Sequence, residues 1–70
     1  MDEFFEIFDI AKKHYGMTKL VHVDFEEAYI RVYLDDKAVV RVDGTYDELE
    51  ELYIQAAARL LAWIKQREIA

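Results

Sequence analysis

Cysteine, serine and proline are absent from this 70-residue sequence, and glycine and histidine each occur only twice. The lack of cysteine excludes a disulfide framework, a thiolate nucleophile and a cysteine-based zinc site. The lack of serine removes a second common nucleophile, and two isolated glycines cannot form a glycine-rich phosphate loop. We therefore expect no enzyme activity, no cofactor and no metal site.

The sequence also lacks any apolar run close to the ~20 residues that span a membrane, and its N-terminus has no basic leader segment. Disorder is excluded as well, because hydrophobic residues make up 54% of the chain and aromatic residues 14%. The length fits one domain, residues 1–70. We expect this domain to lie in the cytoplasm without membrane contact, since a cysteine-free sequence suits a reducing compartment.

Acidic residues outnumber basic ones, with fifteen Asp and Glu against nine Lys and Arg, and the formal net charge is -6. Proteins that bind the phosphate backbone need clustered Lys and Arg, so we expect no binding to duplex nucleic acid. The acids concentrate at the start of the second predicted helix, at Asp47, Glu48, Glu50 and Glu51. Two interpretations stay open: these acids stabilise the helix dipole, or they form an acidic binding surface for a protein partner.

The hydrophobic pattern predicts a helix, three strands and a second helix. Apolar residues recur with helical spacing in two segments and with period two in three segments between them. The helices are predicted at residues 2–15 and 46–67, and the strands at residues 19–25, 28–34 and 38–43. The strands lie too close in sequence for crossover helices. We therefore predict an α+β two-layer sandwich, with a three-stranded antiparallel meander and both helices on one sheet face.

One parity of the predicted strands is apolar and is expected to face the helices. It contains Val21, Val23, Phe25, Ala28, Ile30, Val32, Leu34, Ala38, Val40 and Val42. A two-residue turn at residues 26–27 and a loop at residues 35–37 would fix the strand pairing. On the open face this pairing predicts a cationic row of His22, Arg31 and Arg41. The row is flanked by Asp24, Tyr29 and Asp43 on one side and by Leu20, Tyr33 and Val39 on the other.

The open sheet face is the first candidate binding surface, and its candidate residues are His22, Tyr29, Arg31, Tyr33 and Arg41. Tyr and Arg are enriched among the hot spots of protein interfaces, and aromatic residues on a sheet also stack on single-stranded bases. A third interpretation is a face that satisfies itself, with Arg31 reaching Asp24 and Asp43. All three interpretations stay open.

The second predicted helix carries an additional apolar surface away from its core stripe. It consists of Ile54, Ala58 and Leu61, spaced i, i+4 and i+7. Either the first helix covers this surface, or it is the interface of a homodimer or a contact for another partner. We name these three residues as the candidate oligomer interface.

The order helix, three-stranded meander, helix is that of double-stranded-RNA-binding domains, and the segment from Gln55 to Trp63 resembles the alanine-rich last helix of that family. The basic run that begins this helix in the family is replaced here by acidic residues 47–51, so we transfer no functional residue. Small acidic proteins of this architecture also resemble phage-encoded inhibitors, including anti-CRISPR proteins and DNA mimics.

We expect a small acidic, intracellular protein–protein binding module that occupies the surface of a protein partner, as an inhibitor of this phage type does. The alternative is a nucleic-acid-binding domain that uses the open sheet face. The residues alone do not identify the partner.

Overall fold

The computed structural model describes residues 2–69, and the side chains of residues 3–68, as a two-layer α+β fold. Its elements are α1 (Asp2–Tyr15), β1 (Thr18–Val23), β2 (Ala28–Leu34), β3 (Lys37–Gly44), a single 3-10 turn (Tyr46–Glu48) and α2 (Leu49–Ile69). The sheet has the order β1-β2-β3 with antiparallel neighbours. Both helices pack on the same face of this meander, so the predicted fold class is confirmed.

One apolar core lies between the sheet and the helices. Its largest fully buried side chains are Phe4, Met17, Ile30, Val32 and Leu60. The helix faces that the 3.6-residue spacing predicts are also the faces that are buried. They contribute Phe4, Ile7, Phe8 and Ala11 from α1, and Leu52, Tyr53, Ala56, Leu60 and Ile64 from α2. The helical spacing therefore identified the helix surfaces that hold the two layers together.

Aromatic contacts set the relative direction of the two helices. Near their starts, the ring centroid of Tyr53 lies 5.6 Å from that of Phe4 and 5.5 Å from that of Phe5. Near their ends, Tyr15 packs edge-on against Trp63 at 5.2 Å. The helices therefore run in the same direction, and both begin at the same end of the molecule.

Cationic side chains tie each outer strand to a helix. The Lys19 ammonium of β1 lies 4.3 Å from the centroid of the Phe8 ring on α1, which is cation–π distance. On the other edge of the sheet, Nη1 of Arg59 on α2 donates a hydrogen bond of 2.8 Å to the backbone carbonyl of Arg41 on β3. This bond satisfies an acceptor on an edge strand that has no further strand beside it.

The predicted pairing of β1 with β2 is wrong by two residues. Arg31 lies opposite Leu20, and His22 lies opposite Tyr29, because residues 24–27 form a loop in place of a two-residue turn. Two-residue hairpins need backbone conformations that Glu-Glu disfavours. A shift of two residues keeps the side-chain parity, so the two sheet faces survive. The cationic row of three does not form.

The pairing of β2 with β3 is correct up to Arg31, which faces Arg41, and changes after Val32. A tight turn with positive φ at Asp35 and Asp36 closes this hairpin, as type I′ geometry requires. This turn is one residue shorter than the predicted loop over residues 35–37. An irregularity between Val32 and Tyr33 accommodates the extra residue of β3, so the pairs before it keep the predicted register.

The irregularity overturns two expected side-chain positions in β3. Ala38, expected in the core, is exposed opposite Tyr33, while Val39, expected on the open face, is half-buried and packs on the core. An extra residue in one strand reverses the parity beyond it. Phe25 and Val23 were also expected in the core, and both are exposed.

Gly16 follows the last residue of α1 and ends this helix. Its φ is 73°, and its N–H donates a 3.0 Å hydrogen bond to the carbonyl of Lys12. A Cβ built on this glycine meets no atom within 4 Å, so only the backbone conformation resists substitution. The glycine therefore serves the left-handed helix end rather than packing.

We predict that Gly16→Ala lowers the free energy of unfolding by about 1–2 kcal/mol, because an L-residue pays that cost in the left-handed region. Urea unfolding followed by circular dichroism measures it. Gly16→Asn is the matched control and should lose clearly less, since asparagine tolerates this conformation. Equal losses for both variants would show that the helix end does not depend on backbone handedness.

Candidate functional site

The open sheet face holds a column of three stacked side chains. The ring of His22 on β1 lies 4.8 Å from the ring of Tyr29 on β2, with an angle of 16° between their planes. The guanidinium carbon of Arg31 lies 4.6 Å from the centroid of the same tyrosine. The column exists because the observed register places His22 opposite Tyr29, with Arg31 two residues further along β2.

Arg31 is held in place on this face. Its Nη1 donates hydrogen bonds of 3.2 Å to the carbonyls of Ile30 and Val42, and its Nη2 donates one of 2.6 Å to Oδ1 of Asp43. Its side chain is only 15% exposed. The predicted contact with Asp43 is present, whereas Asp24 lies outside the strands in the β1–β2 loop. The guanidinium of Arg31 is therefore paired with groups of the same sheet, which agrees for this residue with the interpretation of a face that satisfies itself.

The other two predicted residues of this face lie beside the column without joining it. Arg41 is exposed directly opposite Arg31, and it forms no salt bridge with the side chains of residues 3–68. Like charges in direct opposition repel each other, and the bond from Arg31 to Asp43 offsets that repulsion. Tyr33 is half-buried at the far end of β2, opposite Thr18 and Ala38.

A second surface, which the sequence pattern placed in the core, forms at the end of the sheet. Phe25 lies in the β1–β2 loop and is 91% exposed. The loop around it is ordered by hydrogen bonds: the N–H of Asp24 donates to the carbonyl of Glu27 at 2.8 Å, and the N–H of Phe25 donates to Oδ1 of Asp24 at 2.7 Å. The phenyl ring is thus presented to solvent on a fixed loop.

Two further apolar side chains extend this surface. Tyr46, at the 3-10 turn before α2, is 52% exposed, and its ring centroid lies 6.5 Å from that of Phe25. Val23, the last residue of β1, is 43% exposed. Together with Asp24 these three residues line a shallow cleft. We call Val23, Phe25 and Tyr46 the loop-end patch.

The hydrogen bonds of the turn hold Tyr46 in position. One carboxylate oxygen of Glu48 accepts from the N–H of Thr45 at 3.1 Å and from its hydroxyl at 2.9 Å. The N–H of Glu48 donates to the carbonyl of Thr45 at 3.0 Å. The pairing of Thr45 with Glu48 therefore fixes the segment that carries the tyrosine.

Acidic side chains are concentrated at the end of the molecule that carries the loop-end patch. Both helices begin at this end, and the contact of Phe25 with Tyr46 places the β1–β2 loop there too. The exposed acids in these three segments are Glu3, Glu6, Asp24, Glu26, Glu27, Asp47, Glu48, Glu50 and Glu51. No Lys or Arg occurs within residues 20–30 or 42–58. The predicted acidic start of the second helix is therefore one part of a larger acidic end.

The predicted oligomer interface lies on the outer side of α2. Ile54 is 59% exposed and Ala58 is exposed, so α1 does not cover them. Leu61 is half-buried and packs against the core. The interpretation in which α1 covers this surface is therefore wrong for Ile54 and Ala58.

Among the side chains of residues 3–68, no group of three or more His, Cys, Asp or Glu comes together in a way that could hold a metal ion. Neither described helix has the length and apolar character needed to cross a membrane.

In comparisons with known proteins, no family model matches this chain, and neither a curated protein nor a solved structure gives a match.

Sequence reasoning missed the loop-end patch because Phe25 shares the parity of the core residues of β1. A signal was present in the sequence: Asp24 favours a turn through its side-chain bond to the backbone, and Glu-Glu is a poor two-residue hairpin turn. A four-residue loop over 24–27 was therefore the better interpretation.

We predict that Arg31→Ala lowers the free energy of unfolding by about 1–2 kcal/mol. The substitution removes the guanidinium group, which stacks on the ring of Tyr29 and donates three hydrogen bonds. Arg41→Ala is the matched control on the neighbouring strand and should change stability by less than about 0.5 kcal/mol. Chemical denaturation of both variants provides the comparison. If Arg41→Ala cost as much as Arg31→Ala, the bonds made by Arg31 would not be what stabilises this face.

Proposed function

We propose that this chain is a protein-binding module whose primary contact surface is the loop-end patch. The observation that carries the proposal is Phe25, a large apolar side chain that is 91% exposed on a hydrogen-bonded loop, with two further exposed apolar residues beside it. Exposed apolar residues that cluster together are typical of interaction sites, whereas single ones are common on any surface.

The energetics of the patch support this proposal. Burying a phenylalanine side chain contributes roughly 1.5–3 kcal/mol. The loop is already ordered by the bonds of Asp24, so less conformational entropy is lost when a partner binds. Tyr46 adds an aromatic ring with a hydroxyl that can bond at the wetter edge of an interface. The patch thus contains two exposed aromatic rings, a residue class that is enriched in the buried core of protein interfaces.

The acidic end defines the chemistry of the partner that we propose. A surface that approaches Phe25 and Tyr46 also approaches the acids of the loop and of both helix starts. A basic surface with an apolar recess is complementary to this arrangement, and electrostatic attraction would speed their encounter. By occupying such a surface the chain would act as an inhibitor of its partner. The further likeness to phage-encoded inhibitors rests on size, charge and architecture alone.

The open sheet face supports a second candidate, binding of single-stranded nucleic acid. Exposed Arg41 lies next to the column of His22 and Tyr29, and such residues can bind phosphate and stack on bases. Two observations favour the protein-binding proposal. The rings of the column already stack on each other, and the guanidinium of Arg31 is already bonded to Asp43.

Two finer expectations from the sequence stay proposals. The chain is proposed to act in the cytoplasm, and to form a homodimer through Ile54, Ala58 and Leu61. The exposure of Ile54 and Ala58 supports the second of these.

Photocrosslinking tests the contact surface directly. We predict that p-benzoylphenylalanine at position 25 gives a discrete crosslinked product in cells that contain the partner, because this side chain is buried on binding. The same amino acid at Ile10 is the matched control, since Ile10 is a 51% exposed residue on α1. Position 33 reports on the open sheet face.

Three results are informative. The loop-end patch is supported if added wild-type protein competes away the product from position 25 and added Phe25→Ala protein does not. A product from position 33 alone would move the site to the sheet face. Equal labelling from all three positions would contradict a specific surface.

We predict no saturable binding to a 20-mer RNA or DNA duplex up to about 100 μM protein at about 150 mM salt, because neutralised phosphates supply most non-specific affinity and this chain carries net charge -6. Fluorescence anisotropy measures this. A single-stranded 20-mer belongs in the same experiment. Binding to the single strand that Arg41→Ala abolishes would favour the second candidate, and binding to the duplex would revive the RNA-binding-domain likeness.

A further inference from the structure

The outer side of α2 carries an apolar strip that nothing in the described chain covers. Ile54, 59% exposed, is followed at helical spacing by Ala58 and Ala62, which are also exposed. Residues four apart lie on one side of a helix. The strip therefore combines one large side chain with two small ones, which allow another helix to approach closely.

Opposite charges lie at the two ends of this strip. Glu51 and Lys65 each lie seven residues from Ala58, one before it and one after it. Seven residues are close to two helical turns, so both side chains are on the same side as Ala58. Both are exposed, and neither forms a salt bridge with the side chains of residues 3–68.

We propose that this surface binds a second copy of the chain, with the two α2 helices antiparallel and Ala58 on the two-fold axis. Ile54 then packs against the partner's Ala62, and Glu51 faces the partner's Lys65. Each contact occurs twice, as the symmetry requires. The geometry deepens the self-association proposed above and rests on it.

Charge selects the antiparallel arrangement. In a parallel pair the acidic starts of α2, with Glu50 and Glu51, would lie side by side and repel each other. In the antiparallel pair each acidic start meets the end of the other helix, where Lys65 lies on the same side as Ala58, and the helix dipoles oppose each other. The two contacts between Glu51 and Lys65 would also fix the register about Ala58.

The dimer is expected to be weak, because one helix face is smaller than the roughly 800 Å² per partner of a stable interface. We expect a dissociation constant of about 10–100 μM, a range that sedimentation equilibrium covers. The loop-end patch lies in other segments of the chain, so binding of a different protein there is measured separately from self-association.

Charge reversal tests the geometry. Glu51→Lys alone and Lys65→Glu alone should each weaken the dimer about tenfold, because attraction becomes repulsion at two symmetric contacts. The double variant Glu51→Lys with Lys65→Glu should restore it. Arg67→Glu, at the same end of α2 but outside the proposed contact, is the matched control and should have a smaller effect. Circular dichroism confirms that each variant is folded.

Two results would overturn the proposal. A wild-type chain that stays monomeric up to ~500 μM would refute self-association itself, because this concentration is far above the dissociation constant expected for the pair. A dimer that both single variants leave unchanged would retain self-association but refute the antiparallel α2 contact. Restoration by the double variant, after loss in both single variants, supports it, and crosslinking at position 25 is unaffected by either result.

Discussion

Burial of one face of a three-stranded sheet under two helices determines which surfaces of this protein remain exposed. Ile30 and Val32 of the middle strand are fully buried, and the helices pack over them. The chain is only 70 residues long, so it buries a single apolar layer between the sheet and the helices. All candidate functional residues must therefore lie on the open face, in the loops or on the outer sides of the helices.

Because the two helices pack in parallel, the acids at their starts come together at one end of the molecule. Acids at a helix start stabilise that helix individually. Because Phe4 and Phe5 contact Tyr53, both starts lie at one end of the molecule, and the β1–β2 loop adds its own acids there. Stabilising the helices therefore also creates part of an acidic end, and the loop acids, which lie at neither helix start, complete it.

The accuracy of sequence reasoning follows from how local each signal is. Gly16 and the Thr45–Glu48 pair act within one turn of chain. The end of α1 at Tyr15 was predicted correctly, and the predicted second helix begins with a 3-10 turn at Tyr46 that becomes an α-helix at Leu49. Strand register depends on competing turn geometries and on packing far along the chain. The four-residue loop and the irregularity after Val32 were therefore missed, and with them the exposure of Phe25.

The exposed position of Phe25 is informative because this fold had an alternative available. Val23 and Phe25 share the parity of the core, so a tighter turn would have extended β1 and directed the phenyl ring toward the helices. In the structure the side chain of Asp24 and the carbonyl of Glu27 instead stabilise a loop that holds the ring in solvent. Burying the Phe25 side chain would contribute roughly 1.5–3 kcal/mol. This free energy is not used in folding, so it is available when a partner covers the ring. The same residues thus cost stability in the isolated chain and would supply affinity in a complex. This is why we propose the loop-end patch as the contact surface, rather than the sheet face, where His22, Tyr29 and Arg31 already contact other side chains.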